Sequence, residues 1–455
     1  MIRFLSFASA LLFFGFMPFG KNAHLHGQEA LSMSQAIQKG LENNYNIKIA
    51  ETRTDIARNN NTWANAGRYP TIDFSLAFNN SFRDLSNPAG PVTGSSTFST
   101  SAIPGVTLNW TLFNGHRVKY TKNQFEQQEL LNQGNAQIAV ENTIQAVILA
   151  YYNALVQKEQ LEVIENVLKL SRDRIEYQEV RQEFGQAGTF DILQTADAYL
   201  NDSTTYILQV NTFETALRNL NLAMGEDNLS IPYQLTDELS SPIENYEFET
   251  LEQRMFAGNY QLRNQLVNQQ LASINTQVQE SAFLPSVQLQ SGVNYNIGLS
   301  LGNQTLQFGD TPPFTQDIPQ IAARTFNGFL NVTATYPIVD FGVRRTRVDN
   351  AKAEELVAQL NIDELKRNLR NQLANTLATF NNQKQIVQLT EALIQNAEQN
   401  LTIAEERFKG GLINSFDFRS IQLSYLNASQ SKLTAIFNLK NTETELIRLI
   451  GGLVQ

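Results

Sequence analysis

Few residues in this chain combine the type and spacing that chemistry requires. Glu405-Glu406 imitates the paired acids of a general acid–base site, but neighbours on a helix point apart, so the pair reads as a solvated face. His116 stands alone at a strand-to-helix boundary, and no nucleophile or orienting carboxylate is identified for it. Gly410-Gly411 lacks the lysine of a phosphate-binding loop, and no G-x-G-x-x-G follows a strand. The chain has no cysteine, which removes disulfides, thiolate zinc sites and cysteine nucleophiles. Asp191 and Asp417 remain, each two residues after a hydroxyl side chain, Thr189 and Ser415. Those hydroxyls suit N-cap positions, and an acid just inside complements the positive start of a helix. Nothing here calls for catalysis, a metal or a cofactor.

The elements that carry these residues are more informative. Residues 117–184 contain no proline, and as one helix they would extend roughly 100 Å. Residues 344–408 repeat the pattern, with Leu365, Leu369, Leu373, Leu377, Phe380, Leu389, Leu393, Leu401 and Phe408 at coiled-coil-like spacings. The strands read as about 70–82, 105–113, 285–300 and 327–339. Ile72, Phe74, Leu76 and Phe78 alternate with polar or small residues in the first; Val106, Leu108, Trp110 and Leu112 do so in the second. Each is close to the ~9–11 residues with which a tilted strand crosses a bilayer. Alternation alone fits ordinary hairpins on a soluble core equally well. Residues 83–104 and 302–325, rich in Ser, Thr, Asn and Gly, read as long external loops and favour the membrane.

The chain is internally duplicated. Tyr69-Pro70 answers to Leu284-Pro285, and Trp110 to Gly115 answers to Tyr336 to Gly342 with one extra residue before the glycine. Arg117 pairs with Arg344, Phe184 with Phe408, Gly188-Thr189-Phe190-Asp191 with Asn414-Ser415-Phe416-Asp417, and Met224-Gly225 with Ile450-Gly451. The expected organisation is a signal peptide at 1–27, a first repeat at 28–242 and a second at 243–455. Residues 225–246, with Pro232 and Pro242, look like the connection between the halves. Arg3 followed by the apolar stretch 4–16 reads as a secretory signal, with a membrane anchor as the alternative; His24 and His26 would leave with it. A net charge of −10 argues against nucleic acid, which needs a basic face.

Four strands cannot close a membrane barrel, for which about eight is the minimum, and an open edge in lipid leaves backbone groups unsatisfied. Several copies must therefore share one barrel.

With Tyr336-Pro337-Ile338-Val339-Asp340-Phe341-Gly342 near Arg344, and Phe408-Lys409-Gly410-Gly411 before Phe416-Asp417, the chain resembles the outer-membrane efflux protein family, the TolC-like channel-tunnel proteins. The resemblance spans essentially all of the mature chain. It implies a mainly α protein with transmembrane β-structure. Three copies would form a twelve-stranded barrel in the outer membrane of a Gram-negative bacterium, and a helical barrel in the periplasm. The implied partners are a periplasmic adaptor, an inner-membrane pump and outer-membrane lipid. The implied function is a passive exit duct for small molecules or drugs. Protein secretion of type I is the second reading, and an exported coiled-coil adaptor or structural protein is a rival of another class. Five methionines are too few for a soft-metal lining. By the resemblance, Asp417 matches one of the family's pore-facing carboxylates and Asp191 an acidic residue in the other helix pair. These two, with Phe190, Phe416 and Phe408, are the candidates for the periplasmic aperture, and hydrophobic closure by Phe190 and Phe416 is one alternative to the family's polar latch. Phe408 and Ile413 stand where the family has a tyrosine and a linking arginine, and Ser420 replaces a second carboxylate. Gly185, Gly188, Gly410 and Gly411 mark the tips where an adaptor would dock.

Overall fold

The computed structural model describes residues 29–86, 92–239 and 245–454. The expected signal peptide, His24, His26, Pro242 and the boundary at 242/243 lie outside them. In chain order the first half has β1 (Glu29–Leu31), α1 (Met33–Asn43), α2 (Tyr45–Asn60), β2 (Thr71–Ser86), β3 (Val92–Asn114), α3 (Arg117–Glu183) and α4 (Thr189–Met224). After β4 (Tyr233–Leu235), the second half has α5 (Phe248–Gly258), α6 (Tyr260–Glu280), β5 (Ser286–Leu306), β6 (Phe314–Thr335), α7 (Val343–Lys409) and α8 (Ser415–Leu449). A 3₁₀ turn at Ser281–Phe283 joins α6 to the segment before β5.

The order of elements repeats with two fixed offsets. From Met33 to Phe248, Tyr45 to Tyr260 and Pro70 to Pro285 the shift is 215 residues; from Arg117 to Val343, Thr189 to Ser415 and Gly225 to Gly451 it is 226. The second offset corrects three pairings expected from sequence. No residue is inserted before the glycine: the left-handed pair Gly115-His116 matches the left-handed pair Phe341-Gly342. Asn114 and Asp340 each accept, four residues on, the backbone N–H of Val118 (3.3 Å) and Arg344 (3.0 Å), so Arg344 answers to Val118. Phe184 answers to Gly410, not Phe408.

Four strands form one antiparallel sheet in the order β2-β3-β5-β6. They run longer than alternation indicates, and β6 stops at Thr335, short of 339. The segments expected as loops are largely strand. Arg83 pairs with Thr97, and Ser95 with both Leu85 and Gln304. Backbone hydrogen bonds need no apolar side chain, so Ser- and Thr-rich segments extend the ladder once the registered lower halves hold it. Pro104 sits inside β3 and cannot donate to the ladder. Its neighbours on the β5 side pair at Ala102 with Ile297 and at Gly105 with Asn294.

The two 67-residue helices α3 and α7 are each about 100 Å long and fold back as hairpins with α4 and α8. In α7 the buried stripe is Phe380, Val387, Ile394, Leu401 and Phe408, a seven-residue repeat packed against α8. Leu389 and Leu393, expected in that stripe, are exposed. They belong with Ile386 and Ile403 to a second apolar stripe on another face of α7. A similar open stripe, Leu193, Leu200 and Ile207, runs along α4. Among the described residues no helix is long and apolar enough to cross a membrane.

Candidate functional site

Register gives the sheet one apolar and one polar face. Trp110–Leu289–Val332, Leu108–Ser291–Leu330, Val106–Val293–Gly328 and Ala102–Ile297–Arg324 lie in rows across β3, β5 and β6, and β2 adds Ile72, Phe74, Leu76 and Phe78. From the Trp110 row to the Ala102 row is about 27 Å along the strand, enough for a lipid-facing band. Its phenylalanines are exposed in the single chain. The opposite face carries Asp73, Asn109, Gln288, Gln290, Asn294 and Asn331. Trp110 anchors the lower edge, its Nε1–H donating to the carbonyl of Arg68 at 2.9 Å. The outer edges of β2 and β6 have no strand partner among the described residues.

At the far end of the helices, two turns of the same build close the hairpins. Gln186 N–H bonds Arg181 O (2.7 Å) and Gly185 N–H bonds Gln182 O; Leu412 N–H bonds Arg407 O (2.8 Å) and Gly411 N–H bonds Phe408 O. Both are Schellman endings, and they require the positive φ of Gly185 (67°) and Gly411 (69°). Gly188 and Gly410 have ordinary negative φ. The N-caps are Gly188 and Asn414, not Thr189 and Ser415, which are the first helical residues. The Asn414 side chain accepts the N–H of Asp417 at 2.8 Å, and the Asp191 carboxylate accepts the N–H of Gly188 at 3.1 Å. Asp191 and Asp417 are thus matched third residues of their helices, both exposed. Phe190 and Phe416 beside them are also exposed, at 75% and 67%. Phe408 is in another place. It is 4% exposed, stacked on Phe418 at 5.0 Å and tilted against Tyr177 at 5.0 Å, with Ile413 at the same cluster.

The tips are staggered. Tyr177 on α3 donates its hydroxyl to the carbonyl of Lys409, the last residue of α7, at 3.3 Å, and α3 then continues six residues to Glu183. Likewise Thr195, six residues into α4, meets Ser415, the first residue of α8, at 3.3 Å between hydroxyls. The first hairpin therefore reaches about 9 Å further along its axis.

Behind the tips a polar network ties the hairpins together. Arg419 of α8 grips the Asp202 carboxylate of α4 with two N–H groups at 2.7 and 2.6 Å, and Ser171 of α3 donates to the same carboxylate at 2.5 Å. Arg174, buried beside them, donates to Gln422 at 3.3 Å. Burial, and then the charge of Arg419, pull its guanidinium down to about 10, while Asp202 acts the other way. None of these residues was singled out from sequence. The signal was present: Thr195 with Asp202, and Ser171 with Arg174 and Gln178, put polar groups at the i, i+3 and i+7 positions of inward faces where apolar residues belong.

Further toward the sheet, Glu141 of α3 is 4% exposed and its Oε1 has no hydrogen-bond partner among the described residues. Burial pushes its carboxyl up to about 7, with Arg448 of α8 pulling it down. Arg448 is engaged with Glu445 at 2.6 and 2.7 Å, and Gln145 and Gln372 also donate to Glu445. His116 stands edge-on to Phe113 at 5.3 Å. Among the described residues no group of His, Asp and Glu side chains could hold a metal ion.

Known proteins share this arrangement. The family described as outer membrane efflux protein matches residues 36–226 and 251–452. Nodulation protein T of Rhizobium leguminosarum bv. trifolii is 20% identical over 407 residues, covering 88% of this chain and 81% of that one. The Campylobacter jejuni CmeC outer membrane channel superposes with a TM-score of 0.72 at 17% identity, over 92% of this chain and 85% of that one. The open-state Neisseria gonorrhoeae MtrE outer membrane channel does so at 0.67 and 18%, over 92% and 89%. The chain belongs to the outer membrane efflux protein family, as a non-enzymatic TolC-like channel-tunnel of the outer membrane with a long periplasmic helical part.

Proposed function

We propose that three copies of this chain assemble into the exit duct of a tripartite efflux system, passing small molecules from an inner-membrane pump and its periplasmic adaptor to the cell exterior. The observation that carries this reading is the open sheet. Among the described residues its four strands leave two bare edges at the level of the apolar band, a state that costs several kcal/mol per unpaired backbone group in lipid. Three copies of four strands make a closed barrel of even strand number. The open stripes of α4 and α7 support the same assembly, since neighbouring hairpins would cover them. The polar strand face becomes the lumen. The exposed Asp191, Asp417, Phe190 and Phe416 then ring the periplasmic aperture, and the turns at Gly185, Gly188, Gly410 and Gly411 meet the adaptor.

The test is electron microscopy and mass measurement of the detergent-purified protein, with conductance in planar bilayers. A threefold ring with a through-hole and stepwise conductance is expected, and a deletion strain should become sensitive to small toxic compounds. A single detergent-free particle without a hole refutes the duct. A strain that loses secretion of a polypeptide but keeps its drug resistance redirects the reading to protein export.

A further inference from the structure

The two repeats meet inside one chain along a seam, and the duplication makes that seam a template for the contact between chains. On the inner seam α3 packs against α6. Gly134 lies so close to Asn264 that a Cβ there would fall 1.8 Å from its Oδ1, and Asn264 donates to Asn135 at 2.7 Å. Nearer the sheet, the turn after β3 presses on the segment before β5. A Cβ on Gly115 would stand 2.2 Å from the Ser281 carbonyl oxygen and 3.0 Å from the Leu284 Cβ.

Applying the offsets of 226 and 215 residues turns these contacts into pairs that one chain cannot make. Gly134 becomes Leu360 and Asn264 becomes Ile49; Gly115 becomes Phe341 and Leu284 becomes Tyr69. Within a protomer, α2 and β2 stand at one edge of the sheet and β6 and α7 at the other. All four side chains are exposed large hydrophobics, Phe341 at 99%. The surroundings of Tyr69 also differ from those of Leu284 in a way that admits a ring. The residues equivalent to the end of α6 are turns rather than helix, and they leave a groove of about 420 Å³ lined by Trp63, Arg68, Tyr69, Trp110 and Leu112.

We propose that α7 of one copy packs on α2 of the next, with Leu360 against Ile49, and that Phe341 seats its ring in the neighbour's groove beside Tyr69. The seam between copies is thus apolar where the seam between repeats is polar and glycine-tight. Phe341 holds a positive φ of 52°, the left-handed turn conformation of its counterpart Gly115, which is unfavourable for a side chain. Burial of an aromatic ring on assembly offsets it.

The inference rests on the trimer reading, and the experiment separates the two. The chain has no cysteine of its own, so Ile49→Cys with Leu360→Cys, and Tyr69→Cys with Phe341→Cys, can be oxidised in the detergent-purified full chain. Both pairs should give covalent dimers and trimers, about tenfold above either single variant, because residues that face each other across a packed seam come within reach of the ~3.5–4.5 Å Cβ separation of a disulfide. Ile49→Cys with Leu389→Cys should give none, and equal bands from that control overturn the assignment. An oligomer of the correct mass that links through neither pair also overturns the seam while leaving the trimer standing. A monomeric mass sinks the trimer reading beneath it. Phe341→Ser leaves the protomer intact, since its side chain touches little there, and should shift tryptophan emission to the red. Both tryptophans of the chain line the groove, so unchanged emission, or emission that responds only to added anionic lipid, removes Phe341 as its occupant.

Discussion

Replacing Arg419 by glutamine should loosen the start of α8 while leaving the sheet untouched. Asp202 would keep the Ser171 hydroxyl but lose both guanidinium bonds, with its carboxylate still 7% exposed. Removing one partner of a buried ion pair costs about 3–5 kcal/mol. The 19% exposure of the Arg419 side chain and the nearby positive charge of Arg174 favour the lower end, about 3 kcal/mol. Expressed as local opening, that is about a hundredfold loss of amide protection. Hydrogen exchange over residues 415–425 and 195–205 reads it directly, with α1 and the strands as internal controls. Asp202→Asn combined with Arg419→Gln removes both charges and should recover most of the protection, so a double-mutant cycle should show coupling of about 2 kcal/mol. Protection within a factor of three of wild type in Arg419→Gln would refute the view that this pair holds the hairpins together.

Glu141 gives a pH test. Its folded carboxyl titrates at about 7, above the ordinary 4.5, so the folded state favours its neutral form. That stabilisation is full below about pH 4.5 and is lost as pH rises through 7, about 3 kcal/mol in all. Glu141→Gln should therefore raise the melting temperature at pH 8, leave it unchanged near pH 4, and flatten the slope between; equal shifts at both pH values contradict the assignment. Gly411→Ala must hold a left-handed conformation and should cost about 1 kcal/mol, visible as faster exchange at the second tip, whereas Gly410→Ala at ordinary φ should cost less. Asp417→Ala should reduce cation selectivity in bilayer recordings if the carboxylate faces the aperture; an unchanged reversal potential leaves it with capping alone.

Much of this architecture was legible because two periodicities are strong. Strict alternation in the lower strands and the proline-free helical runs required long hairpins on a short sheet. The upper strands were hidden because Ser95 to Ser101 contain a single large hydrophobic, Phe98, and the ladder there is held by backbone pairing that composition does not record. Pro104 also argues, in sequence, against the inner strand in which it sits. Spacing puts Leu389 and Leu393 in the same stripe as Leu401 and Phe408, because a helix bounded on two faces carries two heptad patterns that spacing alone does not separate. Asp191 and Asp417 were located through the repeat. Asp202 and Arg419 were not, because their repeat counterparts are Ala428 and Leu193, which carry no charge.

The unequal reach of the hairpins has a consequence for anything that binds end-on. A threefold assembly of such protomers ends not in a level rim but in a two-tier crown, three taller teeth alternating with three shorter ones about 9 Å behind. A partner of flat contact surface touches only the taller set. To engage all six teeth it must itself present two heights, so the docking partner reads the difference between the halves of this chain even though the turns at their ends are built alike.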